Sequence, residues 1–174
     1  MKKRIFSNVA LIGLVSLFVD MSTEMVYPLV PLFLTSTLGA TPLVVGIIEG
    51  IAESLASLLK VFSGYIGDVR SNKKQLVFTG YSASVIYKIV LILSISWLGV
   101  LAARIIDRAG KGLRTAPRDA LVAQSCGENN RGGSFGLHKM LDMLGSALGV
   151  VLAFVFIAAG FSYSLQPGSS ANFA

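Results

Sequence analysis

The sequence is poor in charge and contains almost no residues that cross-link a chain or bind metals. Only 14% of its 174 residues are charged, whereas soluble domains usually contain about 25%. One cysteine, Cys126, and one histidine, His138, exclude a disulfide scaffold and a structural zinc site. Hydrophobic residues make up 53% of the chain, and its mean hydropathy is +0.71. A soluble domain of this length could not cover so much apolar surface, so the composition indicates an integral membrane protein.

Signals for nucleic-acid binding and for catalysis are also missing. The formal charge is +6, but the basic residues lie between or within hydrophobic runs and form no basic tail or stripe. Gly110-Lys111-Gly112 lacks the spacing of a phosphate-binding loop and follows no predicted strand. No Ser/His/Asp group has a setting that suits catalysis. We therefore expect no enzyme, no cofactor, no metal site and no nucleic-acid partner.

Five segments are long and apolar enough to be predicted as membrane spans, since crossing a core about 30 Å thick takes roughly 20 residues. They are residues 6–34, 43–66, 76–94, 97–122 and 134–161. The first resembles a signal peptide, but no small-residue cleavage site follows it, so we interpret it as a retained helix. Gly39 and Thr41-Pro42 predict the end of the first span and the start of the second. No span alternates with a period of two, which predicts an all-α bundle over residues 1–161 and a polar tail over 162–174.

The basic residues of the connections predict the orientation. The connections at 35–42 and 95–97 carry no charge, while the others carry Lys2, Lys3, Arg4, Arg70, Lys73, Lys74 and Arg131. By the positive-inside rule the N-terminus is cytoplasmic, and the multi-pass chain lies in the cytoplasmic (inner) membrane.

The fourth span has two interpretations, because Asp107, Arg108, Lys111, Arg114 and Arg118 follow its apolar start. A cytoplasmic loop over 107–133 would leave about ten apolar residues, or roughly 15 Å of helix, half a membrane. We prefer a crossing helix whose charged face turns into the protein. Arg104, Asp107, Arg108 and Lys111 then share one face, at i, i+3, i+4 and i+7.

Charged residues inside the predicted spans indicate an internal polar site, because an unpaired charge near the bilayer centre costs about 3 kcal/mol or more. Counted along the helices, Glu49 and Glu53 lie at the depths of Arg104 and Arg108. We expect these pairs to face each other, with Asp20 and Glu24 on the same cavity. Ion pairs that only hold helices together are the alternative for any single residue. The predicted substrate or proton pathway consists of Asp20, Glu24, Glu49, Glu53, Lys88, Arg104, Asp107, Arg108 and Asp142.

Several stretches resemble the major facilitator superfamily. GYIGDVRSNKK at 64–74 resembles its Gly-x-x-x-Asp-Arg-x-Gly-Arg-Arg loop, matched at Gly64, Asp68 and Lys73 and altered at Val69, Ser71 and Asn72. The resemblance implies a gating loop that latches the outward-open state. Its candidate residues are Gly64, Gly67, Asp68, Arg70, Lys73 and Lys74.

RIIDRAGKG at 104–112 resembles the fourth-helix motif of the family, which is implicated in proton transfer among drug/proton antiporters. Three glycines of the fifth span reproduce the opening of the antiporter motif, but the proline and paired glycines that should follow are replaced. Glycines at such spacing are also typical of helix packing. The candidate packing glycines are Gly110, Gly112, Gly136, Gly145 and Gly149.

Two longer stretches, residues 20–31 and 107–121, resemble a bacterial branch of this superfamily with DRxGKGxRxxPRDAL in helix four. The resemblance implies five helices of an incomplete six-helix N-terminal half. It also implies alternating-access transport of a small solute, by proton-coupled efflux or uptake, as in an antiporter. The expected partners are the lipid bilayer, the solute, protons and, in a full-length version, the missing C-terminal helices.

The polar tail at 162–174 resembles no sixth helix. We therefore expect a truncated or frameshifted product, with a deliberately shortened version or a small subunit as alternatives. A non-transporting membrane protein, either a remnant or an assembly and regulatory partner, is the alternative function. The gene sequence beyond codon 174 would distinguish these explanations.

Overall fold

The computed structural model describes residues 2–70, 72–126 and 130–159, with side chains for 8–69, 72–126 and 130–159. This part of the chain is built from helices, which confirms the predicted all-α class. They are α1 (Lys2–Val26), α2 (Leu29–Leu32), a π-helical turn (Phe33–Thr37), α3 (Pro42–Arg70), α4 (Lys73–Ile92), α5 (Trp97–Ser125) and α6 (Arg131–Ala158). The polar tail at 162–174 and the last residues of the fifth predicted span lie outside the described residues.

Four stretches are long and apolar enough to cross a membrane: Asn8–Thr37, Pro42–Val69, Lys73–Ile92 and Arg131–Ala158. The fourth predicted span, α5, is a continuous helix of 29 residues, about 43 Å long. It is not among these four stretches, so its membrane crossing stays a prediction. The alternative of a loop from residue 107 onward is wrong, because α5 continues to Ser125.

Some of the helix boundaries lie where proline and glycine predict them. α3 begins at Pro42, and Gly39, with φ of 63°, lies between it and the preceding turn, as the sequence predicts. The first span, however, is interrupted at Tyr27-Pro28, because proline has no N–H to continue the α-helical ladder. α3 also runs to Arg70, four residues past its predicted end at 66. Residues 64–70 of the gating motif therefore lie on the last turns of α3 rather than in a loop, and its Lys73 and Lys74 begin α4.

The helices pack as two sets. α1 lies along α6, and α5 lies along both α3 and α4, while the contacts between the two sets are sparser. Small residues permit the close approaches: Gly145 and Gly149 lie against the backbone of α1, Gly110 against α4 and Gly112 against α3. A Cβ added at Gly112 would come within 2.5 Å of the Ala56 carbonyl oxygen.

Gly136 is different, since a Cβ there would meet no described atom within 4 Å. The packing role predicted for Gly136 is therefore not seen. Gly80 of α4, which the sequence analysis did not single out, takes part instead, facing the carbonyl oxygen of Gly110.

The distribution of polarity is inverted relative to a soluble protein. Large apolar side chains such as Phe18, Val61 and Phe154 are exposed. The buried side chains include Asp20, Arg104, Asp107, Arg108, Arg114, Arg118 and Asp142. An apolar exterior around buried charges is the arrangement expected in a bilayer, where a charge facing lipid is costly.

Candidate functional site

The buried charges come mainly from one face of α5. Arg104, Asp107, Arg108, Arg114 and Arg118 follow one another at steps of three, one, six and four residues, which place them on one side of the helix. All of them are buried. Lys111 shares this face by spacing but is exposed. α5 packs on α3 and α4. The acidic partners of its charged face come from α1, α3 and α6.

The first charged cluster joins α3 to α5. The Nε of Arg104 donates to Oε1 of Glu49 at 2.8 Å, and its Nη2 donates to Oε2 at 2.6 Å. Its Nη1 lies 3.4 Å from Oδ2 of Asp107. The Nε of Arg108 lies 3.3 Å from Oε2 of Glu53. These are the two glutamate–arginine pairs that matched depth predicts.

The two pairs differ in burial. The Arg104 side chain is 0% exposed and that of Glu49 is 24% exposed, whereas the Glu53 side chain is 64% exposed. Tyr27 lies beside both arginines, with its ring centroid 4.7 Å from Cζ of Arg104 and 5.1 Å from that of Arg108. Such contacts stabilise guanidinium groups through the ring quadrupole. The break at Tyr27-Pro28 is therefore next to the first cluster.

The second charged cluster joins α1, α4, α5 and α6. Arg114 donates from Nη2 to Oδ1 of Asp20 at 2.8 Å and from Nη1 to Oγ of Ser84 at 2.7 Å. Arg118 donates from Nη1 to Oγ of Ser16 at 2.7 Å and to Oδ1 of Asp142 at 3.1 Å. Asp142 also accepts from Lys139 at 3.0 Å, through Oδ2. Asp20 and Asp142 are thus held by arginines outside the predicted pathway. The continued spacing of basic residues along α5 was the signal that could have indicated Arg114 and Arg118.

A cavity of about 360 Å³ lies beside this second cluster, between α1, α3, α5 and α6. Of the predicted pathway, Asp20, Glu53 and Asp142 line it. Glu49, Arg104, Asp107 and Arg108 are not on its wall, and neither is Glu24. The expectation that Glu24 shares a cavity with Asp20 is therefore not met.

Lys88 lies elsewhere. It lines a second cavity of about 330 Å³ whose other walls are apolar side chains of α1, α2, α4 and the π-helical turn, including Val30, Phe33 and Leu91. Its Nζ is 5.7 Å from the ring centroid of Tyr87. Equal depth in the membrane therefore did not bring Lys88 to the charged cavity.

The gating motif connects α3 to α4. Nζ of Lys73, the first residue of α4, lies 3.2 Å from Oδ1 of Asp68, although the Asp68 side chain is 74% exposed. Gly64 and Gly67 lie against Ala116 and Pro117 of α5. Lys74 is exposed, and the side chain of Arg70 lies outside the described residues.

Comparisons with known proteins identify a family. Residues 12–165 match the family model of the Major Facilitator Superfamily. An uncharacterised MFS-type transporter of Methanocaldococcus jannaschii is 38% identical over 155 residues, which cover 89% of this chain and 38% of the relative. Uncharacterised proteins of Mycobacterium bovis and Mycobacterium tuberculosis are each 30% identical over 141 residues, which cover 81% of this chain and 34% of theirs. No solved structure gives a significant match.

The matched region contains both charged clusters, the cavity and the gating motif. The chain spans between about a third and two fifths of the length of these relatives. Since the family model covers most of the 174 residues, this chain belongs to the Major Facilitator Superfamily.

Proposed function

We propose that the chain is the N-terminal portion of a secondary transporter, which moves a small solute across the cytoplasmic membrane by alternating access, coupled to protons. The observation that carries the proposal is a charge-lined cavity inside a bundle whose exterior is apolar. Its volume of about 360 Å³ is in the range of small-molecule sites, roughly 300–1,000 Å³. Charged residues inside a membrane protein are costly and typically mark substrate or ion pathways.

The second charged cluster supports coupling to protons. Asp20 on α1 and Asp142 on α6 bind Arg114 and Arg118 on α5, so these carboxylates link the two sets of helices. A proton on either carboxylate removes the negative charge that holds an arginine and weakens that link. Binding of a proton therefore changes the balance between two arrangements of the helices, which is what coupling requires.

The test uses a full-length form that contains this chain, reconstituted in liposomes with a pH-sensitive dye inside. Solutes that are anionic, neutral or cationic are added outside, and the rate of internal pH change is measured. We expect one class of solute to drive saturable proton movement, and Asp20→Asn to abolish it. Gly136→Ala is the matched control, because Gly136 faces open space, and it should transport normally. Normal transport by Asp20→Asn would contradict the proposed proton pathway.

The alternative is a non-transporting membrane protein, in which the buried ion pairs only hold the helices together. The 174-residue protein alone is therefore assayed in parallel. We expect it to drive no proton movement, because the proposed cavity then lacks the C-terminal helices. Saturable transport by this protein alone would contradict that expectation and support a small subunit. Inactivity of the full-length form in all solutes would support the non-transporting alternative.

A further inference from the structure

The cavity between α1, α3, α5 and α6 has an excess of positive charge. Five basic side chains and three acidic ones line it, which leaves a formal charge of +2. The basic residues come from three different helices: Lys60 from α3, Lys111, Arg114 and Arg118 from α5, and Lys139 from α6. Positive charge therefore surrounds the space from several sides.

The three carboxylates of the cavity already have cationic partners. Asp20 is held by Arg114 at 2.8 Å, and Asp142 by Arg118 at 3.1 Å and Lys139 at 3.0 Å. The third carboxylate, Glu53, lies 3.3 Å from Nε of Arg108, which does not line the cavity. Each carboxylate of the cavity therefore already has at least one cationic partner.

Two lysines of the cavity are in the opposite situation. Among the residues that the structure describes, no carboxylate lies within ion-pair distance of Lys60 or Lys111. Both line the cavity, and both are exposed. A solvated ammonium group with three donors and no protein acceptor can bind an anionic oxygen of a ligand.

We propose that the cavity binds a small organic anion, with a carboxylate or phosphate group held between Lys60 and Lys111. This inference rests on the proposed transport function and names the class of its solute. Carboxylate and phosphate groups form charge-assisted hydrogen bonds with ammonium donors, which are about twice as strong as neutral ones.

The same anionic group could come from a lipid headgroup, but the lining favours a water-soluble ligand. Beside the charged residues, the cavity is lined by the hydroxyl groups of Ser57, Thr115 and Ser146. The other lining residues are Ala56, Gly112 and Met143. The wall of this cavity is a mixture of polar and apolar surface, unlike that of the second cavity, which is almost wholly apolar and would suit an acyl chain better. Hydroxyl groups can bind the polar body of a solute.

The experiment labels lysines of the 174-residue chain in nanodiscs of zwitterionic phosphatidylcholine. The probe is pyridoxal 5′-phosphate, an anionic aldehyde that condenses with a lysine amine with loss of water. Borohydride then reduces the imine, and mass spectrometry measures the rate at each lysine. Pyridoxal, which lacks the phosphate, is the matched neutral probe, and the exposed Lys74 outside the cavity is the internal reference.

We expect the phosphate group to raise labelling of Lys60 and Lys111, relative to Lys74, by about tenfold. This is the order that Coulomb's law gives for charges of about −2 and +2 roughly 10 Å apart in water. Lys60→Gln should lower the preference at Lys111 at least about threefold, and Lys60→Arg should keep it, since one charge is removed or retained. Citrate should slow labelling at both sites, while choline should not.

Equal preference for both probes at Lys60, Lys111 and Lys74 would overturn the inference. Loss of the preference in nanodiscs containing phosphatidylglycerol would also overturn it, because it would identify the ligand as a lipid headgroup. The transport assay separates this inference from the proposed function. Transport of only neutral or cationic solutes would refute anion binding but would still support the proposed transport function. Selective labelling without transport of any solute would support anion binding and refute the transport function.

Discussion

Replacement of Arg104 by methionine should destabilise the bundle strongly, because it leaves two acidic side chains without their cation. Glu49 is 24% exposed and Asp107 only 2% exposed, and both are within 3.4 Å of the guanidinium group. Methionine retains much of the apolar stem, so the main loss is charge and hydrogen bonding. Removing one partner from a buried pair costs about 3–5 kcal/mol, and we expect a loss of this size.

Arg108→Met is the matched control on the next turn of the same helix. Its partner Glu53 is 64% exposed, so water can solvate the remaining carboxylate. An exposed pair contributes about 1 kcal/mol or less, and loss of the Tyr27 contact adds roughly 0.5–1 kcal/mol. The expected loss is therefore about 1–2 kcal/mol, clearly smaller than for Arg104→Met.

The assay is unfolding of the 174-residue chain by dodecyl sulfate in mixed micelles. Far-ultraviolet circular dichroism reports the helices, and fluorescence of Trp97, the one tryptophan of the chain, reports the start of α5. A triple variant, Arg104→Met with Glu49→Gln and Asp107→Asn, tests the cause. If unpaired carboxylates are responsible, neutralising them should recover at least half of the lost stability, because buried ion pairs are often replaced at little cost.

Two results would refute this reasoning. One is equal destabilisation by Arg104→Met and Arg108→Met, which would mean that burial of the partner does not determine the cost. The other is a triple variant no more stable than Arg104→Met alone, which would place the cost in packing rather than in unpaired charge.

Two further predictions concern topology and packing. In a variant without the native cysteine, cysteines at Gly39 and Ser96 should react with impermeant thiol reagents from outside and one at Asn72 from inside, since the outer connections carry no charge. Outside labelling at Asn72 would reverse the orientation. Gly149→Ala should cost about 1–3 kcal/mol in the same unfolding assay, because its Cβ would press on the backbone of α1, with Met25 N at 3.0 Å. Gly136→Ala, in open space, should change stability little, and equal losses for both would contradict the packing argument.

The Glu49–Arg104 contact could be predicted from the sequence because it depends on position along helix axes. The rise of an α-helix is constant, so counting residues from the ends of two adjacent spans gives the relative depth of their side chains. The spacing of charges on α5 likewise identifies one face, because the helical period is fixed. Composition alone indicated the membrane, since an apolar exterior cannot be covered in water.

The partner of Asp20 could not be predicted in this way. Asp20, Lys88 and Asp142 have similar depths, yet Asp20 binds Arg114, Asp142 binds Arg118, and Lys88 lies in a separate apolar cavity. Depth does not specify which helices are neighbours or how each is rotated about its axis. The break at Tyr27-Pro28 also depends on context, because proline can either kink a helix or end it.

The sequence by itself therefore determined the helical class, the positions of most helices and the axial level of each charge. Only the tertiary structure decided that α1 lies along α6 while α5 lies along α3 and α4. That arrangement joins Asp20 and Asp142 to α5. Within the described part of the chain, it leaves Lys60 and Lys111 on the cavity wall without acidic partners. The physical reason is that helical periodicity acts within one segment, whereas neighbour choice depends on close contacts between segments far apart in the chain, such as those of Gly112 and Gly145.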